Sequence, residues 1–233
     1  MTLGLRPGEH VLAIPTHPDD ETLGAGGTIA RLTGEGVHVH VLAVTCCHRP
    51  RWGTASTTGQ RAEEFEAACD VLGVSGRAIA WLDTEQARNV HDHLPELIRL
   101  IEDGPELSLN ALRPAALLIP ADGAVHQEHQ LVHRAAYAAA RPGGAARHCP
   151  RMVLGFDGPE DRAWSAQAGP RTVLVDITTS APAKDKALNC YSSQLRDPAH
   201  PRSLERIRAI DTATGAGIGA DRAEVFTPYR MAW

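Results

Sequence analysis

The chain has little cysteine, no long apolar run and no excess of basic residues, and each shortage narrows what it can be. Five cysteines among 233 residues, with no C-x-x-C pair, argue against a disulfide framework and make a reducing cytoplasm the expected compartment. No apolar stretch reaches the length of a membrane-crossing helix, and the first residues lack the basic-then-apolar pattern of a leader, so no membrane span is expected. A net charge of −5 argues against a general binder of phosphate backbones, and no nucleic-acid partner is expected. Internal repeats and low-complexity tracts are also missing. What remains is ordinary for a soluble globular protein, 43% hydrophobic and 22% charged, with twelve histidines whose positions need explaining.

The length suits one α/β domain over residues 1–233, with a core of about 1–150 and further strands and helices over 151–233. His10–Thr16 reads as a first strand, apolar enough to be buried on both faces. It empties into His17-Pro18-Asp19-Asp20-Glu21, and a helix starts at Asp20 or Glu21, where acids suit the N-terminus. Val37–Val44 reads as a second strand and Gln60–Leu72 as an amphipathic helix closed by Gly73. Ala78–Asp83 gives a third strand and Asn89–Glu102 a helix interrupted by Pro95. Ala115–Ile119 gives a fourth strand. Its exit carries Asp122 and His126-Gln127-Glu128-His129, and a helix then runs to about Ala140. Arg151–Phe156, Thr172–Ile177 and Glu224–Phe226 read as further strands, Lys184–Gln194 and Ser203–Thr212 as helices, and 157–170 as a loop. Alternating strands and helices imply a Rossmann-like, mostly parallel sheet with flanking helices and a small C-terminal extension. Both polar clusters then open on one edge of the sheet.

The chemistry follows from the residue types. A hydrolytic zinc site takes three His or carboxylate ligands and keeps one position for water. His17 and Asp20, three residues apart in a turn, can clamp one ion, and either His126 or His129 can complete the set. Asp19, between the first two, is then free to act as general base, and a protonated histidine beside the ion would steady an oxyanion. The reaction implied is hydrolysis of an amide or ester.

The segment His17-Pro18-Asp19-Asp20-Glu21 after an apolar strand resembles the signature of the PIG-L/LmbE-type zinc N-deacetylases. Further matches follow in order: Arg61 with Glu63 and Glu64, Trp81-Leu82-Asp83, His126-Gln127-Glu128-His129, Lys186-Ala187-Leu188 with Tyr191, Ser193 and Gln194, and Ala223–Phe226. The resemblance implies one zinc ion on His17, Asp20 and His129, with Asp19 as base and His126 as electrostatic partner of the intermediate. It places Arg61 at a position linked to substrate. Glu128 stands where the family has Asp, an acid that supports a neighbouring histidine. The implied substrate is a small N-acetylglucosamine-type amino sugar or glycoconjugate, in a setting such as antibiotic biosynthesis. The oligomeric state is not readable from the sequence, and a homo-oligomer is left open.

Other residues admit plainer readings. His133 reads as a packing residue, and His91, His93, His148 and His200 as solvated side chains. His38 and His40 flank a strand face. Cys46 and Cys47 read as small buried residues, Glu21 as a first-turn or hydrogen-bonding acid, and Asp122 as a helix cap or the support of a ligand histidine. His48, Arg49, Arg51 and Trp52 form a loop able to close over a sugar, and Trp52 and Trp164 are able to stack on one. Gly24, Gly26 and Gly27 do not make a dinucleotide fingerprint, because acids fill the place of a pyrophosphate. Two rival functions are cleavage of an amide in a thiol conjugate and a non-catalytic metal- or ligand-binding module. An intact Asp19 speaks against the second.

Overall fold

The computed structural model describes residues 1–47, 56–143, 147–165 and 170–232. Val11, Leu12, Ala13 and Ile14 are fully buried, and alternate residues enter different cores: Val11 and Ala13 one, Leu12 and Ile14 the other. A strand apolar on both faces needs cover on both faces, and the helices supply it. The strands are β1 (His10–Ala13), β2 (His38–Cys46), β3 (Gly76–Leu82), β4 (Ala116–Pro120), β5 (Met152–Phe156), β6 (Val173–Asp176) and β7 (Ala223–Met231). Among the described residues they form one sheet in the order β3-β2-β1-β4-β5-β7-β6. The neighbours from β3 to β5 are parallel, and β7 runs antiparallel to both β5 and β6.

The helices are α1 (Asp20–Gly34), α2 (Thr58–Leu72), α3 (Glu85–Arg88), α4 (Leu94–Asp103), α5 (Leu109–Leu112), α6 (Gln127–Ala139), α7 (Pro159–Trp164), α8 (Ala181–Cys190) and α9 (Leu204–Ala216). α1, α2 and α8 pack together on one face, and α4 packs on α6 on the other. The expected ending of α2 is observed: Gly73 adopts φ 72° and its N–H returns to the helix, a left-handed cap that glycine enters without strain.

The short helices α3 and α5 are absent from the sequence reading, and three further elements differ from it. Pro95 does not interrupt a helix but sits in the first turn of α4, where its missing N–H has no intrahelical partner to lose. The final strand is nine residues long because Pro228 falls where the β5–β7 register shifts, an irregularity that accommodates a residue without an N–H. The supposed loop over 157–170 contains α7. Among the described residues no helix is long and apolar enough to cross a membrane.

The strand order decides where a site forms. β1 lies between β2 and β4, so the chain leaving β1 and the chain leaving β4 turn away from each other. A crevice opens between their carboxyl ends, the usual place for a ligand in such sheets. His17 follows β1, and His126–His129 follow β4.

Candidate active site

The turn after β1 is built around its acids. The Asp20 Oδ2 accepts the His17 backbone N–H at 2.8 Å, which ties the first polar residue to the first turn of α1. The same oxygen lies 3.4 Å from His17 Nδ1 and 3.2 Å from His129 Nε2, so one buried carboxylate draws two histidines from separate segments together. Ligand atoms of His17, Asp20 and His129 all lie within 4.8 Å of one another.

From the other side, α6 presents its first turn. His126 is its N-cap, with Nδ1 accepting the Glu128 N–H at 3.3 Å. This fixes the ring proton on Nε2. The ring lies edge-on to His17 at 5.1 Å between centroids and 5.1 Å from His129. Burial, with the neighbouring His17 and His129, lowers the His126 imidazole to about 4 and keeps it neutral in this arrangement. His129 goes the other way. Burial opposes its charge, but the Asp20 carboxylate and Asp161 push it up to about 10. Asp161 lies 3.9 Å from His129 Nδ1 and is itself held by the N–H groups of Val125 (2.7 Å) and Gly158 (3.1 Å). Two buried acids thus make this spot favourable for positive charge.

Asp19 occupies a strained position, with φ 118° and ψ −32°, which non-glycine residues rarely adopt. Its backbone carbonyl accepts the N–H groups of Thr22 and Leu23, and its own N–H donates to Glu21 Oε2 at 3.2 Å. Glu21 lies fully buried beneath, with Oε1 accepting from Tyr191 at 2.6 Å and Thr22 at 2.7 Å, and burial pushes it up to about 7. The Asp19 side chain is 2% exposed. Oδ2 accepts from Arg202 Nη1 at 3.0 Å, while Oδ1 has no hydrogen-bond partner among the described residues. Burial raises this carboxyl above the usual range against the pull of Arg202.

His17, Asp19, His126 and His129 line a cavity of about 340 Å³. Its outer wall includes Arg61, Trp164, Gln194, His200 and Arg202.

The family described as PIG-L, GlcNAc-PI de-N-acetylase, matches residues 12–140, more than half of the chain and the part that contains both histidine segments. The chain belongs to the PIG-L family. It is therefore a hydrolase of N-acetyl amides, in a family whose norm is metal dependence. It is 28% identical to the 1D-myo-inositol 2-acetamido-2-deoxy-α-D-glucopyranoside deacetylase 1 of Saccharopolyspora erythraea, over 84% of this chain and 80% of that protein. Two solved structures share the fold. The conserved protein TT1542 of Thermus thermophilus has TM-score 0.74 at 25% identity, covering 97% of this chain and 96% of that one. The N,N′-diacetylchitobiose deacetylase of Pyrococcus horikoshii has TM-score 0.72 at 20% identity, covering 94% and 83%.

The donors present fit the metal that PIG-L deacetylases use. Two imidazoles and one carboxylate form a three-donor set of the hydrolytic type, and Asp161 braces one imidazole from behind. Glu128 reaches a site histidine on the opposite segment, its Oε2 2.8 Å from His17 Nε2. Asp122 neither caps α6 nor reaches a site histidine among the described residues. It is exposed, its Oδ1 accepts the Gly123 N–H at 3.0 Å, and His126 holds the cap. Arg61 lines the cavity with Nη2 3.5 Å from the Pro18 carbonyl and a buried Nε without a partner among the described residues. His133 packs away from the site, its Nδ1 2.8 Å from the Pro120 carbonyl. Cys46 is buried, which pushes its thiol up and away from reactivity. His48, Arg49, Arg51 and Trp52 lie outside the described residues.

Sequence reasoning missed Asp161, Arg202 and His200. The first lay in a segment read as loop, Arg202 follows no motif, and His200 was read as solvated yet lines the cavity. The one available signal was the Pro-Glu-Asp run at 159–161, a helix-start pattern with Pro first and acids after.

Proposed function

We propose that this PIG-L family member is a zinc-dependent deacetylase that removes the N-acetyl group from a small N-acetylglucosamine-type amino sugar or glycoconjugate. The observation that carries the reading is the meeting of His17, Asp20 and His129 around one point, with Asp19 next to them and left out of the donor set. Zinc held by those three residues would polarise the amide carbonyl and acidify water. The chain's own groups do the rest. Asp19, with one carboxylate oxygen unpartnered, takes the proton from the attacking water. His126, neutral and protonated on Nε2, donates that N–H to the oxyanion of the tetrahedral intermediate. Asp19 then returns the proton to the nitrogen as the C–N bond breaks, giving acetate and a free amine.

A cavity of about 340 Å³ suits a sugar-sized ligand. Trp164 is 56% exposed and offers an aromatic face to a pyranose ring, with the Arg61 guanidinium as a hydrogen-bond donor in the same cavity. Relatives named for deacetylating a glucosaminyl inositol and diacetylchitobiose support this substrate class. The five cysteines are all unpaired, in keeping with a cytoplasmic setting.

The test is acetate release from a panel of N-acetylglucosaminyl acceptors, with and without a chelator, in three proteins. Wild type is expected to release acetate and to stop when the metal is stripped. Asp19→Asn is expected to bind zinc normally and to lose about 10²–10⁴-fold in kcat. His17→Ala is expected to lose both zinc and turnover. Near-wild-type activity of Asp19→Asn at saturating zinc would falsify the base assignment.

A further inference from the structure

Arg202 stands in the connection between α8 and α9, outside every motif of the sequence, yet its guanidinium reaches the base. Nη1 donates to Asp19 Oδ2 at 3.0 Å, and Nε donates to Glu160 Oε1, on α7, at 2.7 Å. The Arg202 side chain is 17% exposed and Asp19 only 2%. The backbone around the arginine is tied as well. Its N–H donates to His200 Nδ1 at 3.1 Å, its carbonyl accepts the Arg196 N–H at 3.4 Å, and the Ser203 N–H donates to the His200 carbonyl at 2.9 Å. The arginine is thus fixed at both ends before it touches Asp19.

We infer that Arg202, braced by Glu160, is a positioning residue that clamps one oxygen of the Asp19 carboxylate and leaves the other open to take a proton. An aspartate side chain has two rotatable bonds, and anchoring Oδ2 sets both. Glu160 takes Nε, and the guanidinium meets Asp19 through a single Nη1 contact to Oδ2. Oδ1 stays unpartnered, as observed. A buried oxygen without a partner needs a reason, and here the clamp supplies one. Lysine is a point charge on a flexible stem and cannot fill both carboxylate contacts in the same fixed plane. This inference rests on Asp19 being the base, so the two must be tested side by side.

The experiment compares Arg202→Ala, Arg202→Lys, Glu160→Gln and Asp19→Asn for kcat, KM, zinc content and thermal midpoint. Arg202→Ala is expected to lose on the order of 10²-fold in kcat, the scale of a misplaced catalytic group, with KM and zinc content unchanged. Added guanidinium chloride at millimolar levels is expected to restore part of that loss, while urea is not. Arg202→Lys and Glu160→Gln are expected to keep zinc and KM and to show smaller losses in kcat. A kcat for Arg202→Ala within about twofold of wild type, or a loss that guanidinium leaves untouched, overturns the inference. If Arg202→Ala does not fold, wild-type kcat in Arg202→Lys overturns it instead. Should Asp19→Asn keep turnover, the base reading itself fails. Should Asp19→Asn be inactive while the arginine variants are not, only the clamp fails.

Discussion

A single buried cation shows what one residue can hold together outside the cavity. Lys184, on α8, is 1% exposed and lies 3.0 Å from Asp211 Oδ2 on α9 and 2.8 Å from Glu224 Oε1 on β7. Glu224 in turn accepts the N–H groups of Gly27 and Thr28 in α1 at 2.9 and 2.8 Å. Four elements therefore meet at one ammonium. Replacing it with methionine keeps the volume but leaves two buried carboxylates facing each other. Lys184→Met is expected to cost about 3–5 kcal/mol, the range for breaking a buried ion pair from one side. Urea unfolding followed by circular dichroism reads the cost. A loss below about 1 kcal/mol would mean that water or Arg222, which also reaches Asp211 at 2.9 Å, already carries the neutralisation. The sequence showed Lys184 only as the start of a helix, because nothing local marks a lysine whose acids are 27 and 40 positions away.

At the scale of one element, α1 explains its glycines. They serve close packing of the helix, which has to bring Asp20 down to the crevice. A Cβ built on Gly27 would stand 2.6 Å from Ile177 Cδ1 and 2.8 Å from its Cβ, and one on Gly24 would stand 2.5 Å from Phe156 Cδ2. Alanine is the better helix former by about 1 kcal/mol, but forcing a methyl into a packed contact costs about 1–3 kcal/mol. The clash at Gly27 involves the Cβ of Ile177, which does not swing away, so the second effect wins. Gly27→Ala is expected to lower the urea midpoint by the equivalent of about 1–2 kcal/mol. A raised midpoint would show that α1 has room to shift away from Ile177.

For the molecule as a whole, the edge of the sheet opposite the candidate active site carries a pH dependence of its own. His10 at the start of β1 faces His38 and His40 of β2, with His10 Nδ1 2.9 Å from His40 Nε2. His40 is 8% exposed, and burial with its two histidine neighbours lowers it to about 4. An unfolded chain would protonate the same residue near 6.5. Between these values the unfolded state binds more protons than the folded one, so stability rises with pH. The contribution is complete above about 6.5 and is lost as pH falls towards 4. His40→Gln is expected to flatten the pH dependence of unfolding free energy in that window relative to wild type. Parallel curves for the two proteins would show that His40 is accommodated equally well in its charged form.

The sequence by itself determined the site's near half and its neighbourhood. His17, Asp19 and Asp20 are adjacent in the chain, and an apolar run before them with a helix after them forces them to the end of a buried strand. Alternating strands and helices then forced a parallel sheet, and with it the arrival of His126 and His129 on the same edge. These are local patterns with periods of two and 3.6 residues, and they survive in a string of letters. Tertiary structure alone decided which distant side chains meet. Asp161 comes to His129, Arg202 to Asp19, Glu128 to His17, and Pro228 to the irregularity that lets β7 run on. Each depends on the packing of segments far apart in the chain, and a hydrogen bond across 183 positions, like that of Arg202 to Asp19, leaves no periodicity behind.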